Sequence, residues 1–393
     1  MRLLHHQYYF HLFTLRNKEI DALYIALALI NFAVGLVSIF VPVYFWELGI
    51  PLWQIIFFYF LRAVYYVALT FLLLPIIKRL SDKIMMFLGI PFLVLYLIGL
   101  GFMDGTAWLF YVLPAALALY ALFFNVGYHM DFSLSADDGR IGEEVGLGMA
   151  IIGILKFATP FLGGLLILFV GFSGTFVVSS SILLLAVIPF FFIKGRKFSP
   201  DISVSSVIDT LRDKTFKYFH IAMVGYVINA VGTGVLWPLF LFFIIGSIEG
   251  LGGLISLGLL LGVATTFVVG KLADKHMGRG IMSAAAIGEA VVWFVRAVTQ
   301  QFPVVVGSHI ASAMFKDALL PIWTRTYYTL LRTKKRLGMY VLGQEASYNI
   351  IRMVVHPILM LMAYILPLDQ FFTVSFLLVG AASFLFMAIN HSS

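Results

Sequence analysis

Twelve apolar runs, separated by charges, glycines and prolines, constrain this chain of 393 residues more than any other feature. They fall near 20–45, 52–74, 84–103, 107–130, 145–169, 173–193, 217–245, 251–270, 280–300, 303–326, 339–366 and 369–389. At a rise of 1.5 Å per residue, each reaches across roughly 30 Å of hydrocarbon as a helix. Strands of a membrane barrel would alternate apolar and polar positions, and these runs do not. Only 11% of the residues are charged while 62% are hydrophobic; soluble domains carry roughly 25% charged residues. No water-soluble shape hides that much apolar surface. Ordinary contents of Pro (13) and Gly (34), with high hydrophobicity, exclude disordered and fibrous chains. The chain reads as an all-α membrane protein with twelve transmembrane helices.

The basic residues orient it. Arg2, Arg16, Lys18, Lys78, Arg79, Lys83, Arg140, Lys194, Arg196, Lys197, Arg212, Lys214, Lys217, Lys271, Lys275, Arg279, Arg325, Arg332, Lys334, Lys335 and Arg336 all border one set of loops. The opposite loops, near Glu47, Asp104, Gly171, Glu249, Gln300 and Asp369, hold none. Positive loops stay in the cytoplasm, so both termini are expected there, in the plasma membrane. Basic residues spread over short loops also exclude a nucleic-acid surface.

The expected organisation is a cytoplasmic N-terminal segment (1–19), a six-helix bundle (20–193), a cytoplasmic linker (194–216) and a second bundle (217–390). The first segment has no signal-peptide cleavage pattern, and His5, His6 and His11 read as part of an interfacial tail, not as metal ligands. In the linker, Ser199-Pro200-Asp201 reads as a helix start. Val204, Val207, Ile208 and Leu211 then recur at the spacing of a surface helix. The two bundles echo each other. Pro42 and Pro238 end the first and seventh runs, Asp82 and Asp274 follow the second and eighth, and Arg140 and Arg336 precede the fifth and eleventh. Gly146 and Gly343 each stand 14 residues before a proline, Pro160 and Pro357. Like-oriented repeats of this kind build one class of transporters.

The chain resembles the major facilitator superfamily over nearly its whole length. GKLADKHMGRG (270–280) is similar to that family's cytoplasmic loop signature, with Gly270, Asp274, Lys275, Gly278 and Arg279 matching when one extra residue is allowed. The first-half copy keeps only Asp82 and Lys83. The resemblance implies that these residues, with Asp131 and Arg140, form a cytoplasmic gate. PFLGG (160–164) resembles the end of the family's antiporter motif, although Thr159 and Leu155 replace expected glycines.

Ionisable residues inside apolar runs carry the functional signal. Arg62, Lys156, Glu289, Lys316, Asp317 and Arg352 lie near the middle of their spans, where a charge costs roughly 2.5–3.5 kcal/mol. Glu345, Asn349, Arg352 and His356 form one stripe; Tyr59, Arg62 and Tyr66 form another, and His309, Ser312 and Lys316 a third. Asn31, Asn125, Tyr128 and Asn229 add polar groups on the first, fourth and seventh runs. The resemblance places Arg62, Lys156, Lys316 and Arg352 on helices that line a central cavity. Against Asp317 and Glu345 they leave an excess of two positive charges, which is costly unless an anion enters. A small anionic solute, a carboxylate or phosphate ester, is therefore expected, held by these four bases with Asn31, Asn125, Asn229, Tyr59 and Tyr66.

Asp317, Glu345, His309 and His356 are the expected proton-coupling residues. Glu289 and Arg296 are expected to be structural, because the ninth helix should be peripheral. Absence of cysteine excludes disulfides and thiolate sites. No GxxxxGK[ST], HExxH or GxSxG pattern is present, so neither an enzyme nor a cofactor is expected. The leading expectation is a monomeric, lipid-embedded secondary transporter working by alternating access, with protons as the expected coupling ion. A multidrug/proton antiporter and a non-transporting sensor or scaffold are the alternatives.

Overall fold

The computed structural model describes residues 18–135, 141–195, 203–272, 278–332, 334 and 337–391. Among them there is no strand. The N-terminal half contains α1 (Lys18–Gly35), α2 (Val41–Glu47), α3 (Leu52–Leu72), α4 (Leu74–Ile77), α5 (Asp82–Gly101), α6 (Leu109–Ser135) and α7 (Ile141–Leu185). A short helix, α8 (Val204–Leu211), lies in the linker. The C-terminal half contains α9 (Lys217–Val231), α10 (Trp237–Ile245), α11 (Ile248–Leu272), α12 (Gly278–Val298), α13 (Phe302–Arg332), α14 (Leu337–Ile365) and α15 (Leu368–Ser383).

Nine helical stretches among the described residues are long and apolar enough to cross a membrane. One of them, Leu155–Phe192, has 38 residues, enough for two passes, and its backbone leaves helical geometry at Gly171 (φ 71°). The broken α1–α2 pair and the charge-bearing α13 complete the twelve crossings. Large apolar side chains cover the outside, among them Leu95, Phe169, Val177 and Val298, the last 80% exposed. A soluble monomer does not present such a surface; lipid is its solvent.

The halves repeat each other in their backbone faults. The first crossing breaks at residues 36–40 and restarts as α2 with Pro42 in its first turn. The seventh passes through a π-helical segment, Gly232–Leu236, and restarts as α10 with Pro238 in its first turn. Proline is tolerated there because the first-turn N–H has no helical acceptor. Both restarts end in left-handed glycines, Gly49 (φ 76°) and Gly246 (φ 73°), a conformation other residues adopt only with strain.

The buried interior separates into two apolar layers with a polar belt between. In α3, Leu52–Phe58 belongs to one layer and Tyr66 to the other, with Arg62 between. In α12, Trp293 and Ala297 belong to the first and Met282–Ala286 to the second, with Glu289 between. In α14, Leu359 and Met339–Leu342 bracket Glu345, Asn349, Arg352 and His356. The polar residues thus lie between the two apolar layers.

The halves touch toward both ends. Away from the basic loops, Gly164 meets Ile248 and Glu249, Gly252 meets the Pro160 carbonyl, and Phe161 N donates to Ser256 Oγ at 2.9 Å. Only glycine permits this approach of α7 and α11. Trp46 stacks edge-on against Phe243 with ring centroids 4.9 Å apart. Gly163 faces the Leu36 carbonyl at the break in the first crossing, so PFLGG is a packing element here.

Ser203 caps the linker helix α8, in a reciprocal box with Ser206; the expected start at Ser199-Pro200-Asp201 lies outside the described residues. The helix packs on α14, with Val207 buried and Thr210 seated on Gly343. The tail bearing His5, His6 and His11 also lies outside the described residues.

Candidate solute site between the halves

The belt places Arg62 of α3 beside Arg352 of α14, two cations from opposite halves within each other's field. Tyr59, Tyr66, Tyr96 and Tyr120 surround Arg62, and its Nε is buried without a hydrogen bond. Arg352 Nη1 donates to Asn349 Oδ1 at 3.2 Å, and Asn349 Nδ2 donates to the Glu345 carbonyl at 2.9 Å. The stripe on α14 therefore positions its own arginine.

Glu345 joins the halves. Arg352, Asn125, Arg62 and Tyr66 all approach it, and His129 Nε2 lies 3.5 Å from its Oε1. The other ring nitrogen of His129 shares a 2.8 Å hydrogen bond with Tyr328 Oη on α13. One carboxylate of the C-terminal half thus faces groups from α3 and α6 of the N-terminal half.

The second pair of bases forms another cluster. Lys156 of α7 faces Asp317 and Lys316 of α13. Lys316 Nζ donates to Thr233 Oγ1 at 3.4 Å, and the Asp317 side chain rests on Gly262 of α11. Lys156 stands four residues before Pro160 and Arg352 five before Pro357, so the repeat sets one base at matching depth in each half. Among the described residues, none of the four bases has a carboxylate within ion-pair distance.

Several expected residues are engaged elsewhere. Asn229 is buried inside the C-terminal half, its Nδ2 donating to Glu289 Oε1 at 2.9 Å, instead of facing the other half. His309, a proton-coupling expectation, accepts from Trp237 Nε1 at 3.0 Å within the same half. Asn31 Nδ2 donates to the Leu27 carbonyl of its own helix at 2.8 Å. The α13 stripe therefore turns toward its own half at His309 and Ser312 and comes near the other half at Lys316, which lies within the field of Lys156. His356 is buried, its Nδ1 without a partner.

At the basic end, Asp82 is fully buried at the start of α5, its Oδ1 accepting from Lys83 N at 2.6 Å, and Asp131 is buried on α6. Gly270 falls within α11, while Gly278 and Arg279 open α12. Arg140, Asp274 and Lys275 lie outside the described residues. Sequence reading missed His129, Tyr328, Tyr96 and Tyr120. His129 stands one helical turn after Asn125, a spacing that marks a shared face.

The described residues form an all-α, membrane-spanning fold with a polar belt inside it. The sequence matches no protein-family model and no curated protein. In three dimensions the chain is similar to the crystal structure of the nucleoside transporter NupG, with a TM-score of 0.70, 10% identity, and coverage of 95% of this chain and 99% of that one.

Proposed function

We propose that this protein is a secondary active transporter of the major facilitator type that moves a small organic anion by alternating access. The single observation behind the anion is the set of four bases, Arg62, Lys156, Lys316 and Arg352, none of which has a carboxylate within ion-pair distance among the described residues. A solute carboxylate or phosphate ester would be held bidentately by Arg62 and Arg352 and drawn by Lys156 and Lys316 as point charges. Both halves contribute bases, so binding favours their closure around the solute, which is the differential affinity that alternating access needs. Asp317 and Glu345 are the cavity carboxylates that would carry a coupled proton. The chain would sit in the plasma membrane with its basic loops and both termini cytoplasmic.

A second reading is an uncharged nucleoside. The similarity to a nucleoside transporter and the tyrosines around Arg62, which suit a planar ring, favour it. Uptake by proteoliposomes of labelled organic anions and nucleosides separates the two. Anion uptake that disappears in Arg62→Ala and in Arg352→Ala supports the first reading. Nucleoside uptake indifferent to both supports the second, and no flux with either class points to a non-transporting sensor.

A further inference from the structure

The bases of the belt share their helices with aromatic rings. Tyr59 stands one turn before Arg62 on α3, Tyr348 one turn before Arg352 on α14, and Trp323 two turns after Lys316 on α13. At those spacings ring and base occupy one helix face. The rings of the C-terminal half also meet. Tyr226 of α9 stacks on Trp323 with centroids 4.8 Å apart and planes at 15°, and Tyr348 stands edge-on to Tyr226 at 5.6 Å. Both tyrosines lie within the field of Arg352. Across the belt, Tyr59 and Tyr120 lie within that of Arg62.

Core packing does not account for these four tyrosines. The rings that hold the C-terminal half together are buried: Trp237, Trp293 and Phe376 on one another, and Phe219 against Trp323 behind Tyr226. Tyr59, Tyr120, Tyr226 and Tyr348 stay partly exposed, although each lies close to a base inside the bundle. Nor do the arginines cover them. Arg296, in the same half, is sandwiched by indoles, its Cζ 3.6 Å from the Trp237 ring centroid and 4.4 Å from that of Trp293. Among the described residues, neither Arg62 nor Arg352 stacks on any ring.

Two arginines that reach no carboxylate and cover no ring thus stand among four partly exposed tyrosines, two from each half. We infer that the solute is an aryl anion, its carboxylate or phosphate held by Arg62 and Arg352 and its aromatic ring packed among Tyr59, Tyr120, Tyr226 and Tyr348. This inference rests on the anion reading and narrows it. The edge-to-face pair of Tyr226 and Tyr348 offers a guest ring both a negative face and a positive edge. A saturated ring of the same charge and nearly the same size gains from burial but has no quadrupole to match them. The difference between the two guests therefore isolates what the tyrosines add.

The test measures binding to purified full-length protein by calorimetry for two matched pairs, benzoate against cyclohexanecarboxylate and phenyl phosphate against cyclohexyl phosphate. In at least one pair the aryl member should bind about three- to tenfold more tightly. Tyr226→Leu should bring the two members of that pair level, and Tyr226→Phe, which keeps the ring, should preserve the preference. Tyr348→Leu should narrow it too, and decides the matter should Tyr226→Leu fail to fold. Arg62→Ala should weaken both members together. Equal binding of aryl and saturated members, or a preference untouched by the leucine variants, overturns the inference while binding that still needs Arg62 leaves the anion reading standing. Binding of neither pair, where an aliphatic anion binds through Arg62, also overturns it and spares that reading. No anion binding at all removes both.

Discussion

His129 and Glu345, from opposite halves, approach to 3.5 Å, while the other nitrogen of the same imidazole is 2.8 Å from Tyr328 Oη. One ring from α6 thus bridges α13 and α14 across the interface. Because α6 belongs to the N-terminal half, the bridge must break whenever the two halves part at the end nearest the basic loops.

His129→Ala should therefore loosen that end. The chain has no cysteine, so Tyr59→Cys supplies a lone thiol in the site. Its labelling by a membrane-impermeant maleimide from the basic-loop side should rise about fivefold in His129→Ala, for a hydrogen bond of ~1 kcal/mol. An unchanged rate would mean the bridge holds nothing shut.

Gly163 lies against the Leu36 carbonyl so closely that a Cβ there would collide with backbone. Gly163→Ala should cost roughly 1–3 kcal/mol by overpacking, read as a lower melting temperature. Gly253, open enough to accept a methyl group, provides the control, and Gly253→Ala should be nearly silent.

The linker is clasped to the loop before α14. Lys334 Nζ lies 2.6 Å from Asp213 Oδ2, Tyr340 Oη donates to the same oxygen at 2.7 Å, and Thr215 N donates to Oδ1 at 2.9 Å. Burial pushes the Asp213 carboxyl up, but the bonds from Lys334, Tyr340 and Thr215 outweigh it and hold it below the ordinary range. The hydrogen bond to Asp213 raises Lys334, against a smaller effect of burial. Stability from Asp213 is thus present above its unfolded value of about 3.9 and lost as pH falls through the depressed folded value. Stability from Lys334 is present below about 10.4 and lost as pH rises through the raised one. Asp213→Asn should cost about 1 kcal/mol at neutral pH, less at high salt. It should also flatten the acid side of the melting profile; a profile identical to the unmodified protein would contradict the clasp.

Gly246 ends α10 at φ 73°, with open space where a Cβ would stand. Gly246→Ala should cost about 1 kcal/mol from backbone strain alone, and Gly49→Ala at the matching turn should cost the same. Unequal effects would break the correspondence of the halves at these positions.

Much of this fold was legible because membrane helices must be long and apolar, and a charge inside one cannot hide. Arg62, Glu345 and Arg352 were visible for that reason, and the mid-span position of Arg62 and Arg352 followed from their place along each run. Pro42 and Pro238 disclosed the repeat, yet the break at 36–40 was not legible: an apolar run reports lipid burial, and Leu36–Phe40 is as apolar broken as helical. Periodicity put His309, Ser312 and Lys316 on one face but could not say which neighbour that face meets. Two of the three therefore point toward Trp237 and Glu289. His129 escaped notice because its partners, Tyr328 and Glu345, lie about two hundred residues away. The cap at Ser203 was obscured by the stronger Ser-Pro-Asp pattern just upstream.

The most direct measurement is the melting temperature of the purified protein against a panel of organic anions, neutral nucleosides and lipophilic cations. A ligand that binds only the folded protein stabilises it by roughly 2.7 kcal/mol at a hundredfold excess over Kd. If Arg62 and Arg352 form an anion site, carboxylates or phosphate esters will raise the melting temperature, and the rise will vanish in Arg62→Ala and Arg352→Ala. Stabilisation by nucleosides or cations alone, or by anions equally well in both variants, would contradict it.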